Sequence, residues 1–240
     1  MSEEELQTFL SQWIADTDDE ELRRIEAFAN AKRRHCKFKE GDFFRFPIDR
    51  SHYGYGRILL DIHRMRKSGE VFWDILMGRP LAVSVYHIIT EDPAVDIDTL
   101  NTLKSCPSQF IMDNRFYYGE YEIVGWEPLP DEVDYPIMYG SSISARDRNK
   151  IQFQRGHVYR EIPLEGNTVI PGNFRNNGVG FALNINKRIL EACIEADSNE
   201  PYWNRGDRFH WQDLQHPEHK SALERVMKQM GMEESSIVAV

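Results

Sequence analysis

The feature that most constrains the fold is a succession of short apolar segments that begins after Phe38, with few long helices between them. In the first segment Phe44, Phe46 and Ile48 recur at every second position, which predicts a half-buried β-strand. Pro47 cannot donate a ladder hydrogen bond, so this strand either ends there or lies at a sheet edge. Similar patterns predict strands over residues 57–60, 81–89, 110–112, 121–126, 151–153, 158–162 and 179–183. Such strands fit antiparallel pairing, because a parallel pair needs a crossover connection of about a dozen residues or more.

The two ends of the chain are predicted to be helical. Ser2 and Glu5 have the spacing of a capping box at the start of a first helix. A second helix is predicted over residues 18–34, with acidic residues at its start and basic residues at its end. Near the C terminus, one helix is predicted after Asn186 and a last one over residues 217–230, with Gly231 just beyond its end. The sequence thus predicts an α+β fold: a mostly antiparallel β core, either barrel-like or a strongly twisted sheet, with an N-terminal helical pair and C-terminal helices.

The same pattern divides the chain into three parts. Residues 1–36 are predicted to be an N-terminal helical extension, residues 37–145 a β-rich lobe, and residues 146–240 an α+β lobe. Prolines at positions 128, 130 and 136 indicate an irregular connection between the two lobes. We expect the parts to pack as one compact unit.

Composition narrows the class of protein. The 240 residues include 39 acidic and 29 basic side chains, which gives a net charge of −10 with histidine neutral. Because phosphate binding depends largely on Lys and Arg, a nucleic-acid partner is not expected. Cys36, Cys106 and Cys193 are odd in number and far apart, which argues against a disulfide framework. The acidic start and the lack of a long apolar run predict a cytoplasmic protein without a secretory leader or a membrane partner.

The residue patterns predict neither a catalytic residue nor a cofactor. Gly54 and Gly56 lie in the one tempting glycine loop, but an apolar strand follows them instead of the helix that a dinucleotide site needs. Asp61 and His63 form a pair too small to hold a metal. A cluster near the C terminus has suitable residue types for zinc, yet Pro217 favours its interpretation as a solvated helix start. The members of this cluster are His210, Asp213, His216, Glu218 and His219.

The strongest signal is segregation of charge. Between Phe116 and Ala145 there is no Lys or Arg, although the stretch is rich in acidic and aromatic residues. The candidate binding residues are Tyr117, Tyr118, Glu120, Tyr121, Glu122, Glu127, Asp131, Glu132, Asp134 and Tyr135. Aromatic anchors beside carboxylates suit docking to a basic protein surface. The alternative stays open that the aromatic residues form the core and the acidic residues a solvated rim.

Residues 38–60 resemble the immunity protein 26 family of bacterial polymorphic toxin systems. Two motifs carry the resemblance: residues 41–48, in which a Gly-Asp pair precedes alternating apolar residues, and residues 54–59, which begin Gly-Tyr-Gly-Arg. The motif residues are Gly41, Asp42, Pro47, Gly54, Tyr55, Gly56 and Arg57. The resemblance is firmest over residues 38–130, weaker beyond, and does not cover the helices before Lys37.

The resemblance implies a non-enzymatic immunity protein, with a largely β-strand core, that binds and neutralises a cognate toxin domain encoded nearby by occluding its surface. The acidic and aromatic residues of the 117–135 stretch would then be the toxin-binding candidates. Two alternatives stay open. Some relatives are labelled as phosphotriesterases, which would require a metal-dependent hydrolase. A peptide-binding scaffold module would instead use residues 43–48 as an exposed edge strand.

Overall fold

The computed structural model describes residues 2–15, 26, 30, 32–33, 35–49, 51–69, 80–141, 150–163, 190–191, 194–195, 214 and 219–232. In chain order, the elements are α1 (Glu3–Ala15), β1 (Asp42–Pro47), β2 (Tyr53–Asp61), α2 (Ile62–Ser68), β3 (Pro80–Tyr86), α3 (Ile97–Thr102), β4 (Ser105–Met112), α4 (Asn114–Tyr117), β5 (Glu122–Trp126), β6 (Ile137–Ser141), β7 (Lys150–Arg155), β8 (Val158–Pro163) and α5 (Lys220–Gln229).

The strands form two sheets in which every described pairing is antiparallel. The first sheet has the order β4-β3-β2-β1-β5 and the second has the order β6-β7-β8. This arrangement confirms the α+β class and the antiparallel core. The barrel-like option is wrong for the described strands, because β4 and β5 are open edges of the first sheet. A bulge near Val124 distorts β5, and the Ser108 N–H of β4 donates to the Asp134 carboxylate, so neither edge is shaped for closure.

Strand boundaries follow local chemistry. β1 ends at Pro47, which lies opposite Tyr53 in the β1–β2 hairpin. β1 is an interior strand of the first sheet. The strand predicted over residues 81–89 ends earlier, at Tyr86, after a bulge between Val83 and Val85. β6 was not predicted, because the prolines before it favoured a connection and the strand itself is short and contains Gly140.

The helix α2 was also not predicted. Asp61 begins it, because its carboxylate accepts a hydrogen bond from the Arg64 N–H at 3.1 Å. Gly69 ends it in the left-handed conformation, with φ of +85°. The turn between β2 and the next segment is therefore a capped helix, and this accounts for the Asp61-His63 spacing without a metal.

Aromatic residues dominate both faces of the first sheet. On one face Phe44, Phe46 and Tyr121 pack with Phe116, whose ring centroid is 5.2 Å from that of Phe44. The opposite face buries a second set: Phe43, Tyr55, Tyr86 and Leu100, the last from α3. The second sheet packs its own apolar face against α5. Each sheet is therefore covered on at least one side by a helix or a connecting segment.

The terminal helices are only partly as predicted. The capping box is confirmed, since the Glu5 N–H donates to Ser2 Oγ and the Ser2 N–H donates to the Glu5 carboxylate. The helix predicted over residues 18–34 lies mostly outside the described residues, so the N-terminal pair is described as one helix. α5 begins at Lys220 and Gly231 follows it with φ of +66°, while Pro217 lies outside the described residues.

Other C-terminal predictions also fall outside the described residues, including the strand over 179–183 and most of the helix after Asn186. The division into three parts stays a prediction. β6 and β7 pair with each other across its boundary at residue 145. Within the part of the chain that the structure describes, no helix is long and apolar enough to cross a membrane.

Candidate functional site

The first motif glycine lies against the start of a loop that follows β5. Gly41 has φ of +89°, and a Cβ added there would lie 2.1 Å from the Glu127 carbonyl oxygen. The Glu127 N–H donates to the Gly41 carbonyl at 3.2 Å. Beside this contact, the Trp126 indole N–H donates to the Glu40 carbonyl at 2.9 Å. Only glycine combines this backbone conformation with so close an approach.

Arg57 holds the same loop from the sheet side. Its side chain is buried, and Nη2 donates to the carbonyl oxygens of Glu127 at 3.0 Å and Pro128 at 2.8 Å. The guanidinium carbon lies 4.5 Å from the centroid of the Phe43 ring. A planar cation that stacks on a ring while donating to two carbonyls fixes both groups in position.

The remaining motif residues shape the sheet. A Cβ at Gly54 would lie 2.4 Å from the Phe46 ring, and one at Gly56 would lie 2.5 Å from the Phe44 ring. The Tyr55 hydroxyl donates to the Asp92 carbonyl at 3.0 Å. These glycines therefore make room for phenylalanine rings across β1 and β2, which explains the Gly-x-Gly spacing without a bound nucleotide. Pro47 is exposed at the strand end.

Asp42 closes the turn before β1. Its carboxylate accepts a hydrogen bond from the Lys39 N–H at 2.7 Å, and the residue is buried. Burial raises the pKa of the Asp42 carboxyl group above its ordinary value, against the lowering effects of the Lys39 N–H and ammonium group. Asp42 thus supports the turn that carries Gly41.

We call residues 127–134 the acidic loop. Besides its attachment to Arg57 and Gly41, it is held by the Asn101 amide, which donates to the Glu127 carboxylate at 2.8 Å. At its other end the Asp134 carboxylate accepts from the Ser108 N–H at 3.2 Å. Leu129 and Val133 pack against a core cluster that includes Tyr135. The loop is therefore fixed at both ends and in its middle.

Basic residues from elsewhere neutralise part of the acidic stretch. Glu120 pairs with Arg115, and Glu122 pairs with Arg45, which lies 77 residues earlier in the chain. The hydrogen bond to Glu120 and its negative charge raise the pKa of Arg115, against the effect of burial.

Asp131 and Glu132, in contrast, are exposed and have no ion pair with any described residue. Asp134 is also exposed, and its carboxylate lies 3.9 Å from the Arg155 guanidinium group. The sequence alone therefore overestimates the negative field of this stretch, because basic residues from elsewhere in the fold pair with part of it. The remaining negative field is concentrated on the acidic loop.

The candidate tyrosines separate into buried and accessible residues. Tyr121 and Tyr135 belong to core clusters, so they support the surface from beneath and do not lie on it. Tyr117 is half-buried, and Tyr118 is 42% exposed. Trp126 is 46% exposed although its indole N–H is hydrogen-bonded. The core alternative is therefore correct for two of the tyrosines, and the rest remain accessible to a partner.

The family is identified by the segment that contains these residues. A family model described as Immunity protein 26 matches residues 39–150. Residues 39–150 are therefore similar to the immunity protein 26 family. The match confirms the resemblance and spans the motifs and the whole acidic loop. No significant match is found among the curated proteins or among the solved structures.

The match to this immunity protein family indicates a toxin-neutralising function, with a protein toxin as the general kind of partner. The matched segment also holds all ten candidate binding residues. α1 and most of β7, together with β8 and α5, lie outside it.

A polar cluster that the sequence did not single out lies in the β1–β2 hairpin of the matched segment. The His52 Nδ1 atom is 2.7 Å from Asp49 Oδ1 and 3.3 Å from Ser51 Oγ. In a Ser-His-Asp triad, the hydroxyl and the carboxylate use opposite ring nitrogens. Here Asp49 and Ser51 both contact Nδ1, and the Glu91 carboxylate lies 3.8 Å from Nε2, too far for a hydrogen bond. No carboxylate among the described residues therefore orients the ring to activate the serine. The cluster closes the hairpin turn.

The metal candidates do not converge in the described part of the chain, where no group of three or more His, Cys, Asp or Glu side chains could hold an ion. His210, Asp213, His216 and Glu218 lie outside the described residues.

Burial, with a smaller contribution from the charge of Asp42, raises the pKa of the Cys36 thiol, which disfavours the reactive thiolate.

Proposed function

We propose that this immunity protein binds a cognate toxin domain and neutralises it by covering its surface, with the acidic loop as the main contact. The observation that carries the proposal is that Asp131 and Glu132 are exposed, without an ion pair to any described residue, on a loop fixed by hydrogen bonds at both ends. Elsewhere in the stretch, Glu120 and Glu122 already have basic partners.

A fixed loop suits this role because a preorganised surface loses little conformational entropy on binding. Unpaired carboxylates attract a basic surface over several ångströms and accelerate the encounter of two proteins. Trp126 at the end of β5 and Tyr118, which follows α4, add exposed aromatic area, and such residues commonly dominate binding energy. The same arrangement needs no chemical step, so inhibition would be steric.

The counterpart that fits this surface is a basic face on the toxin domain. A toxin domain that acts on nucleic acid needs Lys and Arg side chains in its substrate groove to bind the phosphates. We propose that the acidic loop lies over such a groove and excludes the substrate. In this proposal the toxin is neutralised inside the producing cell, so we expect the protein to be cytoplasmic.

Observations for the alternatives are weaker. The scaffold alternative required residues 43–48 to be an exposed edge strand, but β1 lies between β2 and β5. The edge strand beside β1 is β5, whose bulge and Glu122 are features that discourage pairing with another strand. A phosphotriester hydrolase would need a ligand cluster that none of the described residues form.

The proposal is tested by removing charge from the loop without changing shape. A double variant, Asp131→Asn with Glu132→Gln, is compared with Glu3→Gln and Glu4→Gln, which change the net charge equally in exposed positions of α1. Each is co-expressed with the toxin encoded by the flanking gene, and growth rescue is measured together with the association rate constant of the purified proteins.

We expect the loop variant to associate about tenfold more slowly at low salt and to protect poorly, because steering charges act mainly on the association rate. The α1 variant should resemble the wild type. If the two variants behaved alike, the acidic loop would not be the docking surface. A larger loss in the α1 variant would assign the contact to the N-terminal helix.

A further inference from the structure

Two basic side chains of the chain itself lie over aromatic rings of the candidate surface. The guanidinium carbon of Arg33 is 4.6 Å from the centroid of the Tyr117 ring. The ammonium nitrogen of Lys39 is 3.8 Å from the centroid of the Trp126 ring. Both distances are typical of cation–π contacts. The surface that would receive a basic partner is thus already in contact with cations.

These two contacts differ in how firmly they are held. Lys39 lies in a turn whose backbone is fixed. The Lys39 N–H donates to the Asp42 carboxylate, and the Glu40 carbonyl accepts from the Trp126 indole N–H. Arg33 is exposed, and its contact with Tyr117 is the one interaction that the described residues give it. A single exposed cation–π contact is weak, so Arg33 can be exchanged for another cation at little cost.

The Tyr117 ring is well placed to keep its position after such an exchange. Tyr117 is the last residue of α4, and the Phe38 ring lies against its ring with centroids 6.0 Å apart. Phe38 also packs on Phe116, which is buried in the core. Loss of Arg33 would therefore expose the ring without removing the contacts that support it.

We infer that Tyr117 is a cation-binding position of the toxin interface and that Arg33 occupies it in the free protein. The inference rests on the proposed function. On binding, an Arg or Lys side chain of the toxin's basic face replaces Arg33 over the ring. Arg33 therefore competes with the partner and lowers its affinity, and it covers the half-buried Tyr117 ring until the partner arrives.

The test uses a fluorescein-labelled hexa-arginine peptide as a cationic probe, with binding to the full-length protein followed by fluorescence anisotropy. Arg33→Ala is compared with Lys32→Ala, an adjacent exposed position that gives the same change of charge. The Arg33→Ala substitution is repeated in a Tyr117→Leu background, which keeps an apolar side chain against Phe38. This double-mutant cycle separates the ring contact from general electrostatics.

We expect Arg33→Ala to bind the peptide about two- to five-fold more tightly than Lys32→Ala, and we expect this advantage to disappear in the Tyr117→Leu background. Equal affinities of the Arg33→Ala and Lys32→Ala variants would overturn the inference, and so would a gain that persists without Tyr117.

The same variants are then titrated with the toxin domain. Toxin binding without a specific effect of Arg33 overturns only this inference. No toxin binding by any variant contradicts the proposed function while the peptide result still stands.

Discussion

The contact between Gly41 and the acidic loop gives a quantitative prediction for Gly41→Ala. The chain provides a matched control, because Gly69 has φ of +85° against +89° for Gly41, but a Cβ added at Gly69 meets nothing within 4 Å. Both substitutions place an L-residue in the left-handed region, which costs about 1–2 kcal/mol. Any difference between the two variants therefore measures the close approach alone.

At Gly41 the new Cβ would lie 2.1 Å from the Glu127 carbonyl oxygen, so the loop backbone has to move by more than 1 Å to reach ordinary contact distance. That movement breaks the Glu127–Gly41 hydrogen bond, worth about 1 kcal/mol, and weakens the charge-assisted bonds from Arg57. We expect Gly41→Ala to reduce the free energy of unfolding by about 3–5 kcal/mol and Gly69→Ala by about 1–2 kcal/mol.

Urea unfolding followed by circular dichroism measures both values, provided that the slope of free energy against urea is unchanged. If Gly41→Ala cost no more than Gly69→Ala, the motif glycine would not be fixing the loop. The argument that places the acidic loop under the control of the family motif would then be refuted.

Two further predictions concern buried groups. Tyr139 is fully buried and its hydroxyl has no partner among the described residues, so Tyr139→Phe should raise the free energy of unfolding by about 1 kcal/mol in urea titrations at pH 7. Burial also raises the pKa of Tyr139 to about 12, so the wild type should lose stability as the pH rises from about 10 towards 12, while Tyr139→Phe escapes this contribution; parallel loss in both proteins would contradict it. Burial raises the pKa of Asp42 too, so its ionised form opposes folding above that pKa and its protonated form does not. Asp42→Asn keeps an acceptor for the Lys39 N–H and should be more stable than the wild type at pH 7, with a difference that shrinks below about pH 4 in thermal melts; a constant difference would rule out ionisation as its cause.

Local features of the fold could be predicted from the sequence because each depends on neighbouring residues. The period of two before Pro47 predicted β1, and the Ser2-Glu5 spacing predicted the capping box. β6 and α2 were missed because their signals are short and lie next to proline or strand residues. The motif at residues 54–57 could be recognised in the sequence, but the sequence did not show why the fold needs these residues.

The electrostatics of the candidate site could not be predicted in the same way. The sequence shows six acidic residues in a stretch that contains no Lys or Arg. Arg45 nevertheless pairs with Glu122, because the pairing of β1 with β5 brings the two residues together. Arg57 contacts carbonyls 70 and 71 residues later in the chain. Such partners depend on strand order, which no local pattern contains. Only the fold therefore shows that the unpaired negative charge of the acidic stretch is concentrated on one loop.

The most direct test of toxin neutralisation by surface binding is a calorimetric titration of the purified protein with the purified product of the flanking toxin gene in a catalytically inactive form. The account predicts a saturable complex of fixed stoichiometry whose affinity falls with added salt and with the Asp131→Asn and Glu132→Gln changes. No detectable binding at micromolar concentrations, while the protein still abolished the toxicity of the active toxin, would contradict it.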